Sequence, residues 1–195
     1  MLQFPLALSF KIVSFGGRIF VLEAPGNVAL YVKQKHFKLK ESIEVYSNED
    51  ESQLLYRIKA DRILDWSANY EFTTADGTVL GSVKRQGMKS LWKARYDIVR
   101  GNEVIAHIQE DNGWIKVVDS LFGEVPILGM FTGFLFHPAY TVTLANGTSV
   151  MRVTKEPAFF EGKFKIEQLQ PVDADTEMPL VLGIMTMALL ERRRG

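Results

Sequence analysis

The chain has 195 residues, of which 47% are hydrophobic and 24% charged, which suits one globular domain with a sizeable core. Its formal net charge is zero, so no global field draws it onto nucleic acid or a membrane, and any such affinity needs a local patch. Cysteine is absent, which excludes disulfides and thiolate chemistry and favours a reducing compartment. The first residues show no basic segment or cleavage site of a signal peptide, so we expect a cytoplasmic location, peripheral to a membrane if lipid is bound.

Apolar residues recur at every second position along most of the chain, which is the period of half-buried β-strands. The clearest case is residues 66–73, where Trp, Ala, Tyr and Phe alternate with polar residues. Asp76-Gly77 and Asn146-Gly147 are strong hairpin signals. The pattern predicts twelve short strands, at residues 6–12, 18–24, 28–32, 43–45, 54–59, 66–73, 79–83, 92–98, 104–108, 140–144, 151–153 and 164–166.

Residues 112–138 interrupt the alternation, and we interpret them as an irregular apolar insert. Residues 114–122 could form a short helix, and residues 126–136 are nearly all apolar. One interpretation is a lid packed over a barrel end or wall. The other is a loop that contacts a membrane interface or a partner through Phe131, Phe134 and Phe136.

Residues 178–190 are apolar on every side and are followed at once by a glutamate and three arginines. A helix that is apolar all round must be enclosed by protein or by lipid. This stretch reaches only about 20 Å as a helix, short of the roughly 30 Å of a bilayer core. We therefore expect a helix enclosed by the rest of the chain. The preceding Asp173, Asp175 and Glu177 are typical of a helix N-terminus rather than of a calcium site.

Strand count and helix fit one another geometrically. Strands about 4.8 Å apart and tilted by about 40° close, when there are twelve, with a radius of roughly 12 Å. After inward side chains are subtracted, the tube that is left is about as wide as a helix. The predicted fold is all-β with one C-terminal helix: a closed antiparallel barrel of about twelve strands around a hydrophobic helix, in a single domain over residues 1–195.

Four stretches carry a family resemblance: YVKQKHFKLKESIEVY (31–46), LLYRIKA (54–60), WSANYEFTTADGTVLGSVKR (66–85) and SLWKARYDI (90–98). They resemble the LURP-one-related proteins, which are grouped with tubby C-terminal-like and phospholipid-scramblase-like proteins. The resemblance implies a twelve-stranded barrel around a hydrophobic C-terminal helix. The insert at 112–138 departs from the family pattern.

The resemblance implies no single activity. Tubby-like members bind phosphoinositides through basic residues on neighbouring strands, scramblase-like members are associated with lipid movement, and many LURP-one-like members have no assigned activity. The matching motifs are apolar and aromatic, so they are specific for the fold. No catalytic residue of the family can be transferred to this chain.

The densest basic stretch is residues 83–98, and it is the predicted lipid-binding patch. Its basic residues are Lys84, Arg85, Lys89, Lys93 and Arg95. Cations on adjacent strands suit a phosphate-bearing headgroup. Lys84 and Arg85 are sequence neighbours, so a regular strand points them to opposite sides. The alternative interpretation is a solvated strand face balanced by acids such as Asp97 and Glu103.

Other chemistry has no sequence support. The three histidines, His36, His107 and His137, are far apart, and no motif for hydrolysis, nucleotide binding, metal binding or nucleic-acid recognition is present. We therefore expect no enzyme activity, no cofactor, no metal and no nucleic-acid partner. The leading hypothesis is a non-enzymatic protein that binds a lipid or membrane surface. The alternatives are a structural or protein-interaction module and scramblase-like lipid handling.

Overall fold

A computed structural model describes residues 1–13, 16–24, 26–34, 42–61, 68–86, 94–111, 138–156 and 162–192. These residues form twelve strands and one helix. The elements are β1 Leu6–Val13, β2 Gly16–Leu22, β3 Val28–Gln34, β4 Ile43–Tyr46, β5 Leu54–Ala60, β6 Asn69–Thr74, β7 Val79–Arg85, β8 Arg95–Arg100, β9 Glu103–Glu110, β10 Ala139–Leu144, β11 Ser149–Glu156, β12 Gly162–Gln168 and α1 Ala174–Arg192.

The strands form one closed antiparallel barrel in which each strand pairs with its neighbours in sequence. Pairing of β1 with β12, with Leu8 opposite Phe164, closes the ring. All twelve predicted strands are present, so the predicted fold class is confirmed. Several predictions lie outside the described residues: the helix at 114–122, residues 112–137 of the insert predicted at 112–138, and the strand ends at Trp66 and Trp92.

The helix α1 runs through the barrel, and its apolar stretch is enclosed. Residues 180–189 are buried, including Leu182 and Ile184, which have no exposed surface. Burying such a side chain stabilises the fold by about 1.5–3 kcal/mol, so enclosure of the helix supplies much of the core energy. Within the described part of the chain, no helix is both long and apolar enough to cross a membrane.

The apolar stretch 178–190 lies within a longer helix, which the acidic run before it opens as expected. The helix begins at Ala174, because the carboxylate of Asp173 accepts a hydrogen bond from the Thr176 amide at 2.8 Å and caps the first turn. It continues to Arg192. The acidic run that precedes the apolar stretch is therefore the cap and first turn of the same helix.

Two sequence features adapt the helix to its position inside the barrel. A Cβ on Gly183 would lie 2.8 Å from Ile98 Cδ1, so glycine allows α1 to approach β8 closely. Pro179 has no N–H to donate to the carbonyl of Asp175, four residues earlier. The Arg100 guanidinium donates to that carbonyl at 2.5 Å and replaces the missing donor.

The two ends of the barrel differ in how the chain crosses them. At the end where α1 begins, here called the bottom, short connections such as Asp76-Gly77 and Gly101-Asn102 join β6 to β7 and β8 to β9. At the end where α1 finishes, here called the top, strands such as β7 and β9 end at Arg85 and Glu110. The alternating direction of the strands therefore fixes which residues lie towards each end.

Candidate functional site on strands β7 to β9

A row of polar side chains crosses the outer wall of β7, β8 and β9 near the top. Lys84 is opposite Asp97 in the register, and Asp97 is opposite His107. Their strand neighbours, such as Tyr96 and Ile108, are buried in the core. Side chains alternate across a strand, so the inward packing of these apolar neighbours turns the polar residues outward.

Asp97 is the centre of this cluster and is nearly buried although it is on the outer wall, with 9% of its side chain exposed. Its Oδ1 lies 2.7 Å from His107 Nδ1 and 3.5 Å from Arg95 Nε. Its other oxygen accepts a hydrogen bond from Gln86 Nε2. A carboxylate taken from water must be paired with donors, and three neighbouring side chains provide them.

Arg95 contacts both members of the Asp97–His107 pair. Its Nη2 lies 3.1 Å and 3.3 Å from the two ring nitrogens of His107, so the guanidinium rests against the imidazole ring. About 44% of the Arg95 side chain is exposed. One side of this cation is therefore engaged by the protein, while the other faces solvent.

Lys84 is the exposed cation beside this cluster. Its side chain is exposed, and it forms no ion pair with any residue in the described ranges. Lys84, Arg95 and Asp97 together carry one net positive charge. The wall can therefore attract an anion, with Lys84 as the group whose charge is not already engaged.

The structure separates the predicted patch residues. Lys84 and Arg95 lie together on the outer wall, while Arg85 points inward, with its guanidinium carbon 6.0 Å from the centre of the Tyr96 ring. The predicted patch residues Lys89 and Lys93, which the chain carries between β7 and β8, lie outside the described residues. So do the predicted contact residues Phe131, Phe134 and Phe136.

Arg85 belongs instead to a polar cluster inside the top of the barrel. The Tyr96 hydroxyl donates to Glu191 Oε1 on α1 at 2.6 Å. Burial and the Glu191 carboxylate raise the pKa of Tyr96, so it stays protonated at neutral pH. Glu110, 2% exposed, lies on the inward side of β9 near the same end. This cluster fastens the end of α1 to the wall.

At the bottom, Glu177 holds the start of the chain. It is 3% exposed and accepts the Leu2 amide at 2.7 Å. The sequence did not predict the burial of Glu110, because alternation predicts apolar residues at inward positions of a strand. It did not predict the burial of Glu177 either, because acids in the first turn of a helix usually face solvent. The His107–Asp97 pair was not predicted, although the hairpin turn at Gly101-Asn102 indicates roughly which residues of β8 and β9 face one another.

No group of three or more His, Asp or Glu side chains in the described ranges could hold a metal ion. The arrangement on β7 to β9 holds a histidine beside a carboxylate, but within the described ranges no serine or threonine hydroxyl hydrogen-bonds to either. The two cations that reach solvent on this wall, Lys84 and Arg95, are groups that attract an anion.

The LURP-one-related family model matches residues 28–178. The chain belongs to the LURP-one-related family. The match covers most of the barrel, from β3 into the first turns of α1, and includes every residue of the polar row on β7 to β9. No curated protein and no solved structure is significantly similar to the chain. The LURP-one-related resemblance expected from the sequence is thus confirmed.

Proposed function

We propose that this LURP-one-related protein is a non-enzymatic binding protein that engages the anionic surface of a membrane through the outer wall of β7 and β8. The observation that carries the proposal is Lys84, an exposed cation with no ion pair in the described part of the chain, next to the half-exposed Arg95. Both cations project from the same wall near the top.

Phosphate-bearing headgroups suit this pair of cations. Hydrogen bonds from ammonium or guanidinium groups to phosphate are stronger than neutral ones, and a basic residue near an anionic leaflet contributes about 1 kcal/mol. Asp97 holds Arg95 by its Nε and leaves much of the guanidinium exposed. The donors are therefore positioned before a headgroup arrives, which lowers the entropy cost of binding.

A protein-interaction module is the second candidate. It is supported by Asp97, which offsets one of the two positive charges on the wall. Scramblase-like lipid handling is third. That activity would require α1 to leave a barrel in which its residues 180–189 are buried.

The test is vesicle co-sedimentation with neutral vesicles and with vesicles containing anionic lipid, across a salt series. Lys84→Gln/Arg95→Gln removes two positive charges from the wall. The matched control, Asn102→Asp/Asn146→Asp, makes the same change in net charge at two exposed turn positions of the bottom. Aspartate suits such turns as well as asparagine does, so the control should fold normally.

We expect binding that requires anionic lipid and weakens with salt. The Lys84→Gln/Arg95→Gln variant should lose about 25-fold in partition constant, from about 1 kcal/mol for each cation. The control should lose less than about twofold, since the Debye length at physiological salt is about 8 Å. If the unmodified protein binds no vesicle, lipid binding is wrong and the protein-interaction module becomes the better account.

A further inference from the structure

The described lysines are distributed unevenly along the barrel axis. All seven lie in the middle or upper part of their strands, and Lys33 and Lys165 are paired with Glu51 and Glu167. The other five are exposed and form no ion pair within the described ranges. We call these five the lysine collar: Lys11, Lys59, Lys84, Lys155 and Lys163.

The lysine collar surrounds the barrel rather than covering one wall. Its members lie on β1, β5, β7, β11 and β12, and in the strand order β1 is directly across the barrel from β7. A twelve-stranded barrel is about 24 Å across at the backbone. One headgroup or one extended peptide cannot reach cations spread around such a ring, whereas a flat surface meeting the top would contact them together.

The bottom has the opposite charge. Asp76, Glu103, Asp173 and Asp175 are exposed there and form no ion pair in the described part of the chain. The exposed carboxylates at the top include Glu156, opposite Lys163 in the register, Glu71, opposite Lys59, and Asp61, which directly follows β5, and the five collar lysines outnumber these three. Among the described residues of a chain with zero net charge there is thus an axial charge separation, which favours one orientation in the field of an anionic surface.

We propose that the protein docks end-on, with the top of the barrel against a flat membrane surface that contains anionic lipid. This inference rests on the proposed function, since both need anionic lipid, but it names a different contact surface. In side-on docking through β7 and β8, Lys11 and Lys163 face away from the membrane. In end-on docking they contact it as Lys84 does.

Three double variants with the same change in net charge separate the possibilities. Lys84→Gln/Arg95→Gln neutralises the β7–β8 wall, and Lys11→Gln/Lys163→Gln neutralises the opposite wall at the same end. Asn102→Asp/Asn146→Asp adds the same negative charge at the bottom. Each is tested against vesicles of phosphatidylcholine with 30 mol% phosphatidylserine, with circular dichroism to confirm folding.

End-on docking predicts that both lysine variants lose about 25-fold in partition constant, at about fivefold for each cation, while the bottom variant stays within about twofold. Loss in the β7–β8 variant alone would overturn end-on docking and leave the proposed function intact. Equal loss in all three variants would also overturn end-on docking, because the net charge of the protein alone would explain the binding. Absence of vesicle binding by the unmodified protein would overturn both proposals.

Discussion

Two aspartates at the bottom of the barrel fix a turn and a helix N-terminus, whereas the exposed lysines at the top cap no turn or helix in the described ranges. Asp76 accepts hydrogen bonds from Thr74 and Thr78, which lowers the pKa of its carboxyl and fixes the β6–β7 turn. Asp173 caps α1. By contrast, Lys59 and Lys163 are exposed and have no ion pair in the described ranges.

This difference shows which charges call for a functional explanation. Aspartate is favoured at tight turns and helix N-caps because its carboxylate accepts backbone N–H groups. The acidity of the bottom therefore follows from the hairpins and from the start of α1. The collar lysines form no ion pair and cap no turn or helix in the described ranges, and their grouping at one end is the basis for placing the binding surface there.

The two ends of the barrel also differ inside, because different hydrogen bonds hold the two ends of α1. The bottom attachment is a cap, with Asp173 ionised and pointing to solvent. The top attachment is a buried hydrogen bond from Tyr96, which is neutral, to Glu191. The bottom attachment should therefore weaken in acid, where Asp173 is protonated. The top attachment should weaken in alkali, where Tyr96 is deprotonated.

The largest loss of stability is expected from a substitution in the buried core between the two ends of the barrel. Leu182→Asp places a charge where the native side chain has no exposed surface, and should cost about 4 kcal/mol or more. Urea denaturation followed by circular dichroism measures this loss. Leu182→Met is the control and should cost less than about 1.5 kcal/mol. An aspartate variant as stable as the methionine variant would place the helix outside the barrel.

A smaller effect is expected at the top attachment. Tyr96→Phe removes the donor to Glu191 and should cost about 1.5–3 kcal/mol at pH 7, measured by urea denaturation. Tyr46→Phe is the control, because its hydroxyl also donates to a glutamate, Glu44 at 2.7 Å, but on the outer wall. That variant should lose no more than about 0.5 kcal/mol. Equal losses would mean that the interior position of Tyr96 adds nothing.

The Tyr96→Phe variant also tests how the stability depends on alkaline pH. The folded pKa of Tyr96 is raised, so its contribution is fully present below the unfolded pKa of about 10 and is lost as pH rises above that value. The stability difference between the unmodified protein and Tyr96→Phe should therefore narrow above about pH 10. A constant difference up to pH 11 would contradict this account.

The smallest effect is expected at the bottom attachment. Hydrogen bonds from Thr176 lower the pKa of Asp173, so its contribution is present above the unfolded pKa of about 3.8 and is lost as pH falls through the folded value. Asp173→Ala should lower the thermal midpoint slightly at pH 7 and hardly at all near pH 2. Asp173→Asn retains a capping oxygen and should lose less. A larger loss in acid than at pH 7 would refute the cap.

The barrel and its helix could be predicted because they depend on local patterns. The alternation of apolar and polar residues predicts the number of strands and which side chains point inward. Asp76-Gly77 and Asn146-Gly147 predict tight turns. A stretch that is apolar all round predicts a helix enclosed by the rest of the chain. The same alternation separates Arg85 from Lys84. The acidic run from Asp173 to Glu177 marks the start of the helix, because carboxylates are favoured at a helix N-terminus.

The polar row could not be predicted, because it depends on register. A shift between Ile98 and Val99 changes the pairing of β8 with β9 by one residue, and this shift sets His107 opposite Asp97. An unshifted hairpin would place a different residue there. The lysine collar could not be predicted for a related reason. Its members are far apart in sequence, and their position at one end of the barrel follows only from the strand directions.

The most direct test of the end-on account uses the absence of cysteine from the chain. Glu156→Cys at the top and Glu103→Cys at the bottom make the same charge change, and each can be labelled with one fluorophore. The two positions are separated by roughly 20 Å along the barrel, from strand rise and tilt. On anionic vesicles with nitroxide-labelled headgroups, we expect strong quenching at position 156 and little at position 103. Equal quenching, or stronger quenching at position 103, would contradict docking by the top of the barrel.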